Sequence, residues 1–209
     1  RTEAVHDLTL SVRPGRCYGL LGRNGAGKTT TIKCLLGHLR PSRGATRVFG
    51  LDPLRDEVGV KRRIGYVPEV MGFYPWMTAQ GMLDYAASFR PAQWNRALER
   101  DLMGRFGLEG RKKIRDMSRG MRAQLSLICA IAAEPDLLLL DEPTSGLDPI
   151  VRREFIETVI GAYQEGAPDR RTVFVSTHLI GEFEGLIDEF TILDLGRAVM
   201  TMGADEARA

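Results

Sequence analysis

The stretch Gly22–Thr29, GRNGAGKT, limits what this chain can fold into more than any other. It fits G-x-x-x-x-G-K-[ST] in full, follows the short apolar run CYGLLG, and opens a helical pattern over Thr29–Leu36 with Gly37 near its end. A buried strand that runs straight into a glycine-rich turn and then a helix is the setting in which this motif cradles phosphate. Gly22, Gly25 and Gly27 let backbone N–H groups turn inward around phosphate oxygens. Lys28 can reach the β- and γ-phosphates as a point charge, and the Thr29 hydroxyl can hold Mg²⁺. The bland alternative, a glycine-rich turn without a ligand, does not account for Lys28 and Thr29 at their places in the motif. The expected cradle therefore runs through Gly22, Arg23, Asn24, Gly25, Ala26, Gly27, Lys28, Thr29 and Thr30.

Strand and helix signals alternate along the rest of the chain. Val5–Val12 alternates as a strand would, and Pro14-Gly15 marks a turn. PSRGATRVFG combines turn chemistry with a β-rich run, and Ile64–Val67 reads as a strand. From Met77 to about Phe106 the spacing is helical, divided by Pro91, with no strand pattern between, so a small helical lobe is expected there. DLLLLD reads as a central strand covered on both faces. PIVRREFIETVIGAY is helical with Pro149 at its start. RTVFVS is a strand, LIGEFEGLI a short helix, and FTILDLG with RAVMTMG a closing β pair. This alternation implies a mainly parallel sheet layered with helices.

At 209 residues the chain is one domain, or one domain with an inserted lobe. Lys plus Arg total 29 against 27 acids, a balance that gives no support to a nucleic-acid partner. The odd count of three Cys, with no pair at metal-ligand spacing, argues against a disulfide framework and against zinc. Cys17, Cys34 and Cys129 are read as small buried hydrophobes in a reducing compartment. The sequence contains no apolar stretch of the ~20 residues needed to cross a bilayer. Because RTEAVHDLTLSV already reads as a strand, the chain is expected to begin inside its first structural element, with its N-terminus truncated.

LLLLDEP supplies the counterpart of the phosphate loop. An acid at the end of a buried strand can face that loop across the sheet, so Asp141 can anchor Mg²⁺ through water. Glu142 points elsewhere, toward an attacking water, as a general base near a γ-phosphate must. Two solvated acids at a strand edge would be the plain alternative. His178, in STHL directly after another strand, could sense or bind the γ-phosphate, although a lone His is usually structural. His6 and His38 have no such setting and read as surface or packing residues.

DMSRGMRAQL, Asp116–Leu125, poses a separate question, because Ser118 and Gly120 at a helix start make a second place to hold an anion. On the residues alone, an N-cap is the commoner use of such a Ser.

The order GRNGAGKTT, YVPEV, MSRGM, LLLLDEPTSGLDP and STH resembles the ATP-binding cassette (ABC) family over nearly the whole chain. The variant signature is similar to those of single-domain bacterial exporter ATPases of the ABC-2 type. The resemblance implies a P-loop NTPase core with a mainly parallel sheet, an antiparallel β subdomain, and a helical subdomain inserted at about 77–117. It implies ATP and Mg²⁺ as ligands, with Thr29, Asp141 and Glu69 toward the metal. Lys28, Glu142 and His178 would be catalytic. It also implies that two such domains, as a homodimer or heterodimer, pack head to tail. Ser118 would then donate its hydroxyl, and Gly120 its backbone N–H, to the partner's ATP. Asp148 in SGLDP matches a loop linking the two sites, and it can also serve as a turn Asp before a helix. A separate membrane permease, which selects the cargo, would hold the chain at the cytoplasmic face of the membrane.

Three departures from the family pattern stand out. The usual Leu-Ser-Gly-Gly-Gln signature is Met117-Ser118-Arg119-Gly120-Met121 here, so its packing must differ. Glu69 stands where Gln is usual. It can ligate Mg²⁺ but cannot donate a hydrogen bond, so activity should depend more on Mg²⁺ than with Gln. No aromatic residue precedes Tyr18 to stack on adenine, and the expected one would lie before Arg1. VMGFYPWM offers Phe73, Tyr74 and Trp76 either as a dock for a permease helix or as packing between lobe and core. A non-transport cassette acting on ribosomes or DNA is the second reading, weakened because those relatives usually carry two cassettes or a long insertion. A P-loop kinase or GTPase is the third, and it leaves MSRGM and SGLDP without a purpose.

Overall fold

Leu137–Asp141 is buried at every position and turns successive side chains to opposite faces of one sheet. Leu137 and Leu139 enter a core with Tyr18, Leu20, Ile32, Leu36 and Phe174, under the helix that follows the phosphate loop. Leu138 and Leu140 enter the larger core on the other face, with Leu125, Ile128, Phe155 and Val175. The sheet is therefore the middle layer of three.

The computed structural model describes residues 3–164, 171–179, 181, 186–204 and 206. The elements are β1 (Cys17–Gly22), α1 (Lys28–Leu35), α2 (Glu57–Lys61), β2 (Ile64–Val67), α3 (Ala79–Ser88) and α4 (Arg96–Arg105). After a 3₁₀ turn at Ile114–Asp116 come α5 (Arg119–Ile131), β3 (Leu137–Asp141), α6 (Pro149–Gln164), β4 (Thr172–Thr177), β5 (Glu189–Asp194) and β6 (Arg197–Gly203). The strand order is β2-β3-β4-β1-β5-β6, parallel throughout except for the β5–β6 pair. β4 thus stands between β1 and β3, with Ser176 in register with Leu20 on one side and Asp141 on the other. The carboxyl ends of β1, β3 and β4 open on one edge, which is where ligands of open α/β sheets bind.

The expected lobe helices form as α3 and α4, each with a side-chain cap. Thr78 accepts from Gly81 N at 3.0 Å, and Asn95 accepts from Ala97 N and Leu98 N, both at 3.0 Å. Buried Glu99 joins the two helices by accepting from Gln80 at 2.9 Å and Arg96 at 2.8 Å. Among the described residues no helix is long and apolar enough to cross a membrane.

Two expectations need correction. Val5–Val12 keeps the period-two burial of a strand, with Leu8, Leu10 and Val12 packed on the core, but it joins no ladder among the described residues. Its inner face finds a core to pack on, while its edge finds no neighbouring strand. PSRGATRVFG likewise gives only an isolated bridge, Val48 with Leu51. Antiparallel strand pairing among the described residues is therefore confined to β5–β6 and isolated bridges, so the antiparallel part is smaller than expected. Most of LIGEFEGLI lies outside the described residues.

Cys17 and Cys129 are partly covered, and loss of solvent around each thiol pushes both up to about 12, so they stay neutral. This agrees with reading them as small hydrophobes. Leu138→Ala should destabilise the protein by about 2–5 kcal/mol, because it empties fully buried volume between the sheet and α5. Chemical denaturation of the two proteins measures the difference.

Candidate nucleotide site

The phosphate loop leaves β1 and closes on itself through Ala26 N to Arg23 O at 3.1 Å. Gly27 then starts α1 with φ at 108°, in the region that favours glycine, and a Cβ there would stand 2.6 Å from the carbonyl oxygen of Ala4. The segment before β1 thus lies directly over the loop, and Ala4 lines the cleft. That cleft, of about 350 Å³, is also lined by Asn24, Gly25, Gly27, Lys28, Thr29, Thr30, Glu69 and Glu142. The side chain of Ala26 turns into the core instead, while Arg23 is exposed and contributes its carbonyl.

Lys28 is 5% exposed and its ammonium is held by the chain itself. Nζ donates to Gly22 O at 2.6 Å and Arg23 O at 3.0 Å, and lies 2.9 Å from Oε1 of Glu142. The contact with Oε1 is ionic, without the alignment of a hydrogen bond. The other oxygen, Oε2, is 2.8 Å from Nδ1 of His178. Glu142 has φ of 46°, a conformation that costs a non-glycine residue about 1–2 kcal/mol. That turn directs the Glu142 carboxylate toward Lys28 and His178, while Asp141 remains in the ladder.

Asp141 is 1% exposed and accepts at one oxygen, Oδ1, from Ser176 Oγ at 2.6 Å and Thr29 Oγ1 at 3.1 Å. A hydroxyl beside a carboxylate is a donor set for a hard cation that keeps most of its waters, so Thr29 and Asp141 fit Mg²⁺. Glu69 is exposed at the rim of the same cleft. Its charge and that of Asp141 both bear on Tyr66, whose phenol is pushed up to about 12, mainly by burial. Ser176, which the sequence reading passed over, lies at the centre of these contacts. Its only signal is a polar residue in the apolar strand TVFVST, one strand away from the acid.

Ser118 and Gly120 do not line the cleft. Ser118 is the N-cap of α5 and accepts from Met121 N at 3.2 Å, which is the plain reading of that residue. A hydroxyl that accepts this bond keeps its own proton to donate elsewhere. Gly120 faces α6, where a Cβ would stand 2.9 Å from Cγ1 of Val151. Arg119 lies over Gly146, and Arg152 donates to Leu147 O at 3.2 Å, so α5 and α6 both hold the SGLD loop. Asp148 caps α6, accepting from Ile150 N and Val151 N at 3.1 Å each. Tyr18 is 1% exposed, stacked on Phe174 and bonded to Thr191 at 2.6 Å, and so is closed to a nucleotide base.

The family model described as ABC transporter matches residues 5–145. The chain belongs to the ABC transporter family. This cassette is 36% identical over 208 residues to the bacitracin transport ATP-binding protein BcrA of Bacillus licheniformis, covering 99% of this chain and 67% of BcrA. It is 38% identical to the daunorubicin/doxorubicin resistance ATP-binding protein DrrA of Streptomyces peucetius, covering 95% of this chain and 60% of DrrA. The cassette thus spans between about half and two thirds of the curated relatives it matches. A solved ATP-binding subunit of an ABC transporter superposes with a TM-score of 0.85 at 30% identity, covering 98% of this chain and 85% of that one. A dimeric cassette bound to ADP and phosphate gives a TM-score of 0.82 at 20% identity, covering 96% of this chain and 90% of that one, a likeness of fold. The cassette is a nucleotide-binding domain of the ATPase class.

Removing one partner of the buried Lys28–Glu142 pair should leave an uncompensated charge. Lys28→Met should therefore cost about 3 kcal/mol or more of stability, and Lys28→Met with Glu142→Gln should recover part of that loss. A double-mutant cycle by thermal or denaturant unfolding measures the coupling.

Proposed function

We propose that this cassette is the ATP-binding and ATP-hydrolysing subunit of an ABC exporter, driving a separate membrane permease through ATP-dependent closure of a cassette dimer. The observation that carries the hydrolytic part is the row Lys28–Glu142–His178, held by contacts of 2.9 and 2.8 Å beside the Thr29–Asp141 pair. ATP phosphates compete with the carbonyls of Gly22 and Arg23, and with Glu142, for the ammonium of Lys28. Once Lys28 turns to phosphate, Oε1 of Glu142 is free to accept a proton from the attacking water. His178 holds Oε2 and so fixes the direction of the carboxylate. Apart from that of Ala26, which bonds back to Arg23 O, the backbone N–H groups of the loop and of the start of α1 would face the phosphates. Thr29 and Asp141 would hold Mg²⁺, with Glu69 at the rim. The ion, when bound, neutralises charge on the β- and γ-phosphate oxygens.

In the dimer, the spare proton of Ser118 and the backbone N–H of Gly120 would serve the partner's nucleotide, which accounts for their absence from this chain's own cleft. The exporter assignment is supported by the names of relatives, which include bacitracin transport, daunorubicin resistance and Nod factor export ATP-binding proteins. An exposed aromatic row supports a permease dock. Tyr74 and Trp76 have ring centroids 4.9 Å apart, and Tyr74, Tyr85 and Phe89 continue at 6.2 and 5.0 Å. Phe73 takes the other role weighed for this segment and packs on the core.

Glu142→Gln should retain ATP binding while hydrolysis falls about 10²–10⁴-fold, and ATP should then hold the dimer on size exclusion. Phosphate-release and gel-filtration assays check both. Glu69→Gln should make hydrolysis less dependent on Mg²⁺, and an unchanged Mg²⁺ dependence would count against that role for Glu69. For the exporter itself, affinity purification of the full-length protein from detergent-solubilised membranes should bring down a polytopic membrane protein without a phosphate loop. Recovery with ribosomes or DNA instead would overturn the exporter reading.

A further inference from the structure

We propose that Ser176 is a positioning residue for both acids of the site, fixing the metal-facing carboxylate of Asp141 and the backbone turn that aims Glu142. The proposal rests on the ATPase reading above and assigns a residue to it. Ser176 is fully buried in β4, where a serine hydroxyl must find partners. It finds two, on consecutive residues with different tasks. Its proton goes to Oδ1 of Asp141 at 2.6 Å, and its oxygen accepts from the backbone N–H of Glu142 at 3.2 Å. The same N–H also reaches the carbonyl of Ser176 at 3.0 Å, so the left-handed Glu142 is tied to Ser176 by backbone and side chain together.

Topology explains why this residue does so among the described residues. β4 lies between the strand that feeds the phosphate loop and the strand that ends in the acids, and Ser176 is level with Asp141 in the register. The second donor to Oδ1, Thr29, belongs to the phosphate loop, and its oxygen is the one that would face the metal. Ser176 is therefore the donor to Oδ1 that lies outside the loop. Because both hydroxyls converge on Oδ1, the carboxylate is oriented about its Cβ–Cγ bond, with Oδ2 left as the oxygen for further donors. Had Ser176 served only to satisfy itself, one bond to a nearby strand carbonyl would have sufficed.

The test compares Ser176→Ala, Ser176→Thr and wild type, using Mn²⁺ as a spectroscopic substitute for Mg²⁺. ADP affinity is measured in EDTA, and Mn²⁺ binding to the ADP-loaded protein by electron paramagnetic resonance. Wild type should bind ADP and then Mn²⁺. Ser176→Ala should raise the Mn²⁺ half-saturation about 10–100-fold while metal-free ADP affinity stays within twofold. Ser176→Thr, which keeps a hydroxyl, should recover most of the loss. If Ser176→Ala does not fold, Ser176→Cys, nearly isosteric with a weak donor, should give the same split. An unchanged Mn²⁺ half-saturation, or an equal fall in metal-free ADP affinity, overturns the positioning role and leaves the ATPase reading intact. Wild-type protein that binds no nucleotide overturns the ATPase reading, and this role with it.

Discussion

Two adjacent carboxylates, Asp141 and Glu142, lie buried at the end of a strand, and the surrounding site is organised around that fact. An ionised carboxylate out of water is costly unless it is paired and hydrogen-bonded. Asp141 is answered by two hydroxyls and Glu142 by an ammonium and an imidazole. These four partners come from the start of α1 and from the end of β4 and the residue after it. Compensating the acids therefore fixes the phosphate loop, β3 and β4 relative to one another. The same contacts set the polarity of the cleft, because the cation that neutralises Glu142 is the one a phosphate would compete for.

That competition links the resting contacts to the chemistry. Lys28 donates hydrogen bonds to two carbonyls and pairs its charge with the Glu142 carboxylate, so its charge is already compensated. A triphosphate offers more negative charge than these partners do, at a helix start already suited to anions. On the proposed ATPase reading, a triphosphate that binds would also release Glu142 as the base. Binding and activation need not be separate events when one ammonium serves both.

The parts of this site that local sequence determines were legible. Strand, glycine turn and helix follow one another within a few residues, and the apolar run of β3 ends at its acid. Each depends on neighbours in sequence. Ser176 was not legible, because its importance comes from β4 being inserted between β1 and β3, a fact of topology. Val5–Val12 shows the converse limit. Its alternation correctly marks one face as inward, yet a ladder needs a partner strand, which a segment's own pattern cannot supply. The helical lobe could be read because its apolar spacing and Pro91 are local signals, and the caps that the structure adds, Thr78 and Asn95, are local as well.

The altered signature segment follows from packing as much as from phosphate chemistry. Ser118 must cap α5 whether or not it meets a nucleotide, since the first N–H groups of a helix need acceptors. Gly120 cannot carry a side chain without displacing Val151 of α6. Arg119, where the family usually has glycine, covers Gly146, and that glycine, with φ of 68°, has no Cβ to obstruct the guanidinium. A residue that departs from the family pattern is thus matched by a glycine across the contact. Ser118 answers the demand of helix capping and Gly120 that of helix packing, and the proposed donation to a partner's phosphate would ask for the same two residues. At Arg119 the contact in this chain is one of packing, with the guanidinium lying over a position that has no side chain.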